Sequence, residues 1–209
     1  MSDINEVPVD EQLPVIVMIG EPIPNQRHIG ILHRESDASP KFLHLAWHCI
    51  LQNESDIPDY MRLWTTPSVE PVRLRLVAAL CRLVWRKNES DGIPYAFSSP
   101  ANTIDATSGA VLLGPSRFGL TCATFVLALF DAVGIRIAQY ATWPQDRQGD
   151  IEWQTQIIAS LLSRAAPEHI EHLQSEVGAA RFRPEEVAAS AAIAPPAAEF
   201  EAASVLAAR

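Results

Sequence analysis

No stretch of this chain stays apolar for the roughly 20 residues that a bilayer-spanning helix needs. The longest apolar runs, around 76–80 and 125–133, break off well short of that length, so no integral membrane segment is expected. The opening MSDINEVPVDEQ is acidic and has no basic stretch leading into an apolar core, so it does not read as a secretory signal. Cysteine is scarce, and Cys49, Cys81 and Cys122 stand far apart, which fits neither a disulfide framework nor zinc-ligand spacing. Reduced thiols in a cytoplasmic protein are the expectation. Positive charge is short as well: 16 Lys and Arg face 25 Asp and Glu, a formal net charge of −9. That balance repels phosphate, so no nucleic-acid partner is expected and little affinity for anionic lipid. The basic residues that do cluster, Arg73, Arg75, Arg82, Arg86 and Lys87, read as the solvated stripe of an amphipathic helix.

What the chain does have is core-forming material. Hydrophobic residues make up 48% and charged ones 20% of 209 residues, enough for one globular domain with a single large core. Residues 1–12 read as a flexible leader, 13–182 as an α+β domain, and 183–209 as a peripheral helix or partly disordered tail, because alanine favours helix but supplies little core surface. The run LPVIVMI at 13–19 reads as a buried strand ended by the breakers at 20–25. HIGILH at 28–33 and KFLHLAWHC at 41–49 read as an antiparallel hairpin, and 52–66 as irregular. Pro71 opens a helix whose apolar side carries Val72, Leu74, Leu76, Val77, Leu80, Cys81, Val84 and Trp85. Short strands are expected at 110–113 and 135–141, and amphipathic helices at 150–165 and 167–177.

The segment LGPSRFGLTCATFVLALFDAVG carries the main chemical signal. Its Gly and Pro residues delay the helix until Thr121, a plausible N-cap, so Cys122 falls in the first turn and Gly134 closes the helix. There a thiol meets the positive end of the helix dipole and unpaired N–H groups, which favour thiolate and also suit a developing oxyanion. A thiol needs a base. His28, His33, His44 and His48 fall within one hairpin, whereas His169 and His172 lie on a polar helix and read as surface residues. Strand alternation puts Phe42, His44, Ala46 and His48 on one face, and an even register would bring His28 to the same side as His44. Nucleophile, base and orienting group are then Cys122, His28 and His44. Two other readings stay open: a zinc site of His28, His44 and His48, and plain strand histidines with satisfied hydrogen bonds.

The series HIGIL, FLHLAW and, far downstream, TCATFVLALF resembles the permuted papain-like superfamily, meaning the lecithin:retinol acyltransferase branch and its bacterial relatives of NlpC type. The likeness spans about the first two-thirds of the chain. It implies an antiparallel sheet packed against a nucleophile-bearing helix, with further helices towards the C-terminus. It implies Cys122 as nucleophile, with Phe125 and Val126 completing the motif, His28 as base and His44 as orienting residue. The expected activity is hydrolysis of an amide, isopeptide or ester bond in a peptide, amide or acyl substrate through an acyl-enzyme, with no cofactor and no metal. Two further possibilities are a binding or regulatory module that keeps the scaffold without using it, and a lipid-directed acyltransferase with Trp143 and Trp153 on an interfacial face.

Overall fold

Strand β2 (Val15–Ile23) forms the middle of an antiparallel sheet because VIVMI is buried on both faces. Its neighbours are β3 (Gln26–His33) and β6 (Met61–Thr65), and the sheet continues through β4 (Lys41–Trp47) to β5 (Ile50–Glu54). A two-residue strand, β1 (Asn5–Glu6), pairs with the outer side of β6. The computed structural model describes residues 5–6, 13–34, 39–114 and 118–208. The remainder of the leader at 1–12, the polar loop at 35–38, and residues 115–117 and 209 lie outside the described residues.

Alternation sorts the sheet into two cores. Val15, Val17, Ile19, Ile29, Ile31, Leu43 and Leu45 face the helices, while Ile16, Met18, Leu32, Phe42 and Met61 form a smaller cluster on the other face, closed over by Ile57, Tyr60 and Trp64. The six helices among the described residues are α1 (Pro71–Asn88), α2 (Cys122–Ala132), α3 (Gln148–Leu161), α4 (Pro167–Ser175), α5 (Pro184–Ile193) and α6 (Phe200–Ala207). The architecture is therefore α+β, with α2 and α5 against the sheet. None of these helices is long and apolar enough to cross a membrane.

Several expectations need correction. The stretch 52–66 is not irregular: it completes β5 and supplies β6, which pairs with β2 from Val17↔Thr65 to Gly20↔Met61. Conversely, 110–113 and 135–141 are not strands. Each contributes only an isolated bridge, Ile104↔Val111 and Ala138↔Ala198, and a 3-10 turn at Tyr140–Thr142 interrupts the second. Val72 and Leu76 of α1 face solvent, and the buried stripe is Leu74, Val77, Ala78, Leu80, Cys81 and Val84. Trp143 is buried and Trp153 packs against the main core, so they form no interfacial face.

The largest correction concerns the C-terminal segment. Helix α5 is not peripheral: Val187, Ala188, Ala189, Ser190 and Ala191 are fully buried, and the helix touches β2, β3, β6, α2 and α6. Small side chains let its backbone approach several elements at once, so an Ala-rich segment suits a crowded centre as well as a surface. Its first turn is anchored by buried Glu186. That carboxylate accepts from Trp143 Nε1 at 3.0 Å, Arg147 Nη1 at 2.7 Å and the Arg183 N–H at 3.1 Å. Next to it Asp150 is paired with Arg147, Arg181 and Arg183. Replacing Glu186 by Gln removes the charge and keeps the shape, and is expected to cost about 3 kcal/mol of stability in urea unfolding. A loss below about 0.5 kcal/mol, the range of a neutral surface change, would contradict this role.

Candidate active site

Cys122 owes its place to the turn before it. Thr121 is the N-cap of α2 and forms a reciprocal box with Thr124: Thr121 Oγ1 accepts from the Thr124 N–H at 3.1 Å, and Thr124 Oγ1 accepts from the Thr121 N–H at 2.8 Å. Every residue from Cys122 to Phe130 is buried, so packing holds the helix start rigidly against the sheet. Gly134, at φ 72°, takes the left-handed conformation that closes the helix.

The histidines meet where β3 and β4 part. These strands pair only from Ile31↔Leu43 to His33↔Lys41, leaving His28 and Ile29 without β4 partners. Gly30 is required at this point. A Cβ there would lie 2.6 Å from Phe42 Cζ and 2.7 Å from His44 Cβ, closer than packed side chains tolerate. The glycine lets His44 lie across the strand, stacked on Phe42 at 4.7 Å, and reach His28. His28 Nε2 and His44 Nδ1 are 2.7 Å apart, and His44 Nε2 lies 3.1 Å from Glu54 Oε2.

The proton positions follow from the chemistry of this line. An ionised carboxylate only accepts, so His44 Nε2 carries the hydrogen that Glu54 receives. Burial keeps both imidazoles neutral: His28 is lowered to about 3 by desolvation and by the neighbouring His44 ring, and His44 to about 4 by desolvation. A neutral His44 with hydrogen on Nε2 has a bare Nδ1, which accepts from His28 Nε2–H. His28 Nδ1 is therefore left as a lone pair, with no hydrogen-bond donor engaging it among the described residues.

Cys122, His28 and His44 line one cavity of about 600 Å³, together with Tyr60, Tyr95, Trp153 and Arg181. The Cys122 sulfur makes no hydrogen bond to a ring nitrogen among the described residues. The backbone N–H groups of Ile29 and Ala123 and the charge of Arg181 favour its ionised form, but burial outweighs them and pushes the thiol up to about 11. Burial thus acts against the thiolate that the helix start favours. A helix terminus stabilises charge by a modest amount, whereas enclosure of the sulfur removes most of its water.

The other candidates fall elsewhere. His48 lies beyond the end of β4, in the turn to β5, where it accepts from the Tyr95 N–H at 3.2 Å and packs on His169 with ring centroids 4.9 Å apart. It does not share the face of His44, so the set of His28, His44 and His48 does not converge. Among the described residues no three His, Cys, Asp or Glu side chains are placed to hold a metal ion. His33 pairs with Asn53 at 3.0 Å. His169 is half-buried, bonded to the Tyr95 carbonyl at 2.9 Å, and His172 is exposed and stacked on Phe118. Cys81 is buried, and Cys49 is exposed in the left-handed turn after β4 at φ 55°.

Glu54 and Arg181 were not singled out by sequence. Glu54 shares the parity of Gln52, which pairs with His44, so assigning β5 as a strand would have placed it on the histidine face. Arg181 lies in an irregular stretch and carries no local pattern. Comparison with family models, with curated proteins and with solved structures finds no match.

Because thiolate is the reactive form, alkylation of Cys122 by iodoacetamide is expected to accelerate about tenfold per pH unit from 6.5 to 9.5 without levelling off. The unfolded chain should level near its ordinary pKa of about 8.5. Site-resolved mass spectrometry of the folded protein checks this, and a plateau at or below pH 7 would contradict a neutral resting thiol.

Proposed function

We propose that this protein is a cysteine hydrolase of permuted papain-like type, cleaving an amide, isopeptide or ester bond through an acyl-enzyme. The observation that carries this reading is the line Glu54, His44, His28, which leaves a bare nitrogen on an imidazole whose residue lines the same cavity as Cys122. The motif series HIGIL, FLHLAW and TCATFV, in that order along the chain, supports it. Three free thiols fit a reducing, cytoplasmic setting.

In this reading the resting pair is thiol and neutral imidazole, and the proton moves as the bond forms. Cys122 Sγ attacks the substrate carbonyl while His28 Nδ1 takes the thiol proton. The imidazolium so formed keeps donating through Nε2 to His44, whose own Nε2–H stays on Glu54. The Ile29 and Ala123 N–H groups, which favour negative charge on the sulfur, are the donors this reading assigns to the oxyanion formed on the attacked carbonyl. Collapse of the tetrahedral species expels the amine or alcohol, which receives the proton from His28. Water, deprotonated by the same Nδ1, then cleaves the thioester and restores the thiol.

A second reading has its own support: the absence of a direct sulfur–imidazole hydrogen bond and the raised thiol fit a scaffold kept for binding alone. The two separate on a p-nitrophenyl ester. The hydrolase is expected to show a burst, with the acyl mass on Cys122 and no turnover in Cys122→Ala, and His28→Gln should slow acylation by about 100-fold or more. Undiminished turnover in Cys122→Ala, or an acyl group that never reaches Cys122, would rule the hydrolase out.

A further inference from the structure

Besides a thiol and two imidazoles, the cavity holds a guanidinium. Arg181 lies in the stretch between α4 and α5, which buried Gln154 fixes by accepting from the Gly178 N–H at 2.8 Å and donating to the Ala179 carbonyl at 3.1 Å. Arg147 Nη2 donates to the Arg181 carbonyl at 2.6 Å. The backbone of Arg181 is thus held by two side chains from outside its own segment.

The Arg181 side chain lies over the Trp153 ring, with Cζ 3.7 Å from the centroid, and Nη1 donates to Asp150 at 3.2 Å. That is its one side-chain hydrogen bond among the described residues, so most of its five donors are uncommitted. Arg147 and Arg183 pair with the buried carboxylates Asp150 and Glu186, and of the three arginines only Arg181 lines the cavity. Glu185, half-buried in the cavity wall, acts on Arg181 through its charge but takes none of its hydrogen-bond donors. Beyond Trp153 the wall continues as Tyr95 and Trp47, with successive ring centroids 6.5 and 5.1 Å apart. The charge of Arg181 is felt at the Cys122 sulfur.

A planar cation with spare donors, at the end of an aromatic wall, fits a carboxylate on an apolar or aromatic body. A cavity of about 600 Å³ holds a ligand of that size. We propose that Arg181 and the Trp153–Tyr95 wall form a carboxylate-binding subsite, and that the substrate carries a free carboxylate a few bonds from its scissile carbonyl. Identifying this ligand as the substrate rests on the hydrolase reading; the subsite itself stands without it.

The test is calorimetric titration of the full-length Cys122→Ala protein with hippurate and with its neutral amide. Hippurate is expected to bind about tenfold tighter or more, a preference lost in an added Arg181→Met change and partly kept in Arg181→Lys. Asp150 retains Arg147 and Arg183 in these variants, so folding, checked by thermal melting, should survive. Equal binding of the two ligands, failure of hippurate to bind at millimolar concentration, or a preference unchanged by Arg181→Met would overturn the proposal. The ligand comparison alone decides if Arg181→Met does not fold. Carboxylate-selective binding in a wild-type protein that never acylates Cys122 would keep the subsite and sink the hydrolase. Turnover of amides with no carboxylate preference would do the reverse.

Discussion

A carboxylate that can only accept hydrogen bonds sets the direction of every proton in the histidine line. Glu54 requires the hydrogen of His44 on Nε2, His44 in turn requires that of His28 on Nε2, and the lone pair of His28 ends up on Nδ1. Without the acid at one end, two neutral imidazoles 2.7 Å apart could donate in either direction, and His28 would present a base or an N–H indifferently. The backbone underwrites this line. Gly30 removes the side chain that would keep His44 away, and the parting of β3 from β4 opens the sheet where Cys122 arrives on α2.

Enclosure has opposing effects at the same place. It keeps the imidazoles unprotonated, which preserves a base, and it keeps the thiol protonated, which withholds the nucleophile. Ile29 and Ala123 N–H groups and the Arg181 charge all act against the second effect but do not overcome it. In the proposed hydrolase, the proton would therefore have to move as the sulfur attacks. Arg181 brings a guanidinium with uncommitted donors into the same cavity, a local feature that the net charge of the chain does not reveal.

The parts of the fold legible in the sequence were those with strong local patterns. VIVMI and HIGIL read as strands because runs of β-branched and aliphatic residues do little else, and Thr121 read as an N-cap because the breakers before it leave no other helix start. Even-register pairing of the hairpin placed His28 and His44 on one face, as alternation required. What stayed hidden depended on distant partners. Strands β5 and β6 are short and mixed in polarity, so Glu54 looked like a loop acid until β4 supplied its register. Helix α5 looked peripheral because composition counts side-chain area, whereas its burial comes from closeness of approach. The ionisation of Cys122 also lay beyond local reading, since helix position argues one way and enclosure by the whole domain argues the other.

The arrangement of protons is directly observable. Long-range ¹H–¹⁵N correlation of the imidazole nitrogens at neutral pH is expected to show both His28 and His44 uncharged, each with hydrogen on Nε2 and an unprotonated Nδ1. In Glu54→Gln this uniform tautomer should loosen, because an amide can also donate. Hydrogen on His28 Nδ1, or a charged His28 ring at pH 7, would contradict the line of proton placement from which the proposed chemistry starts.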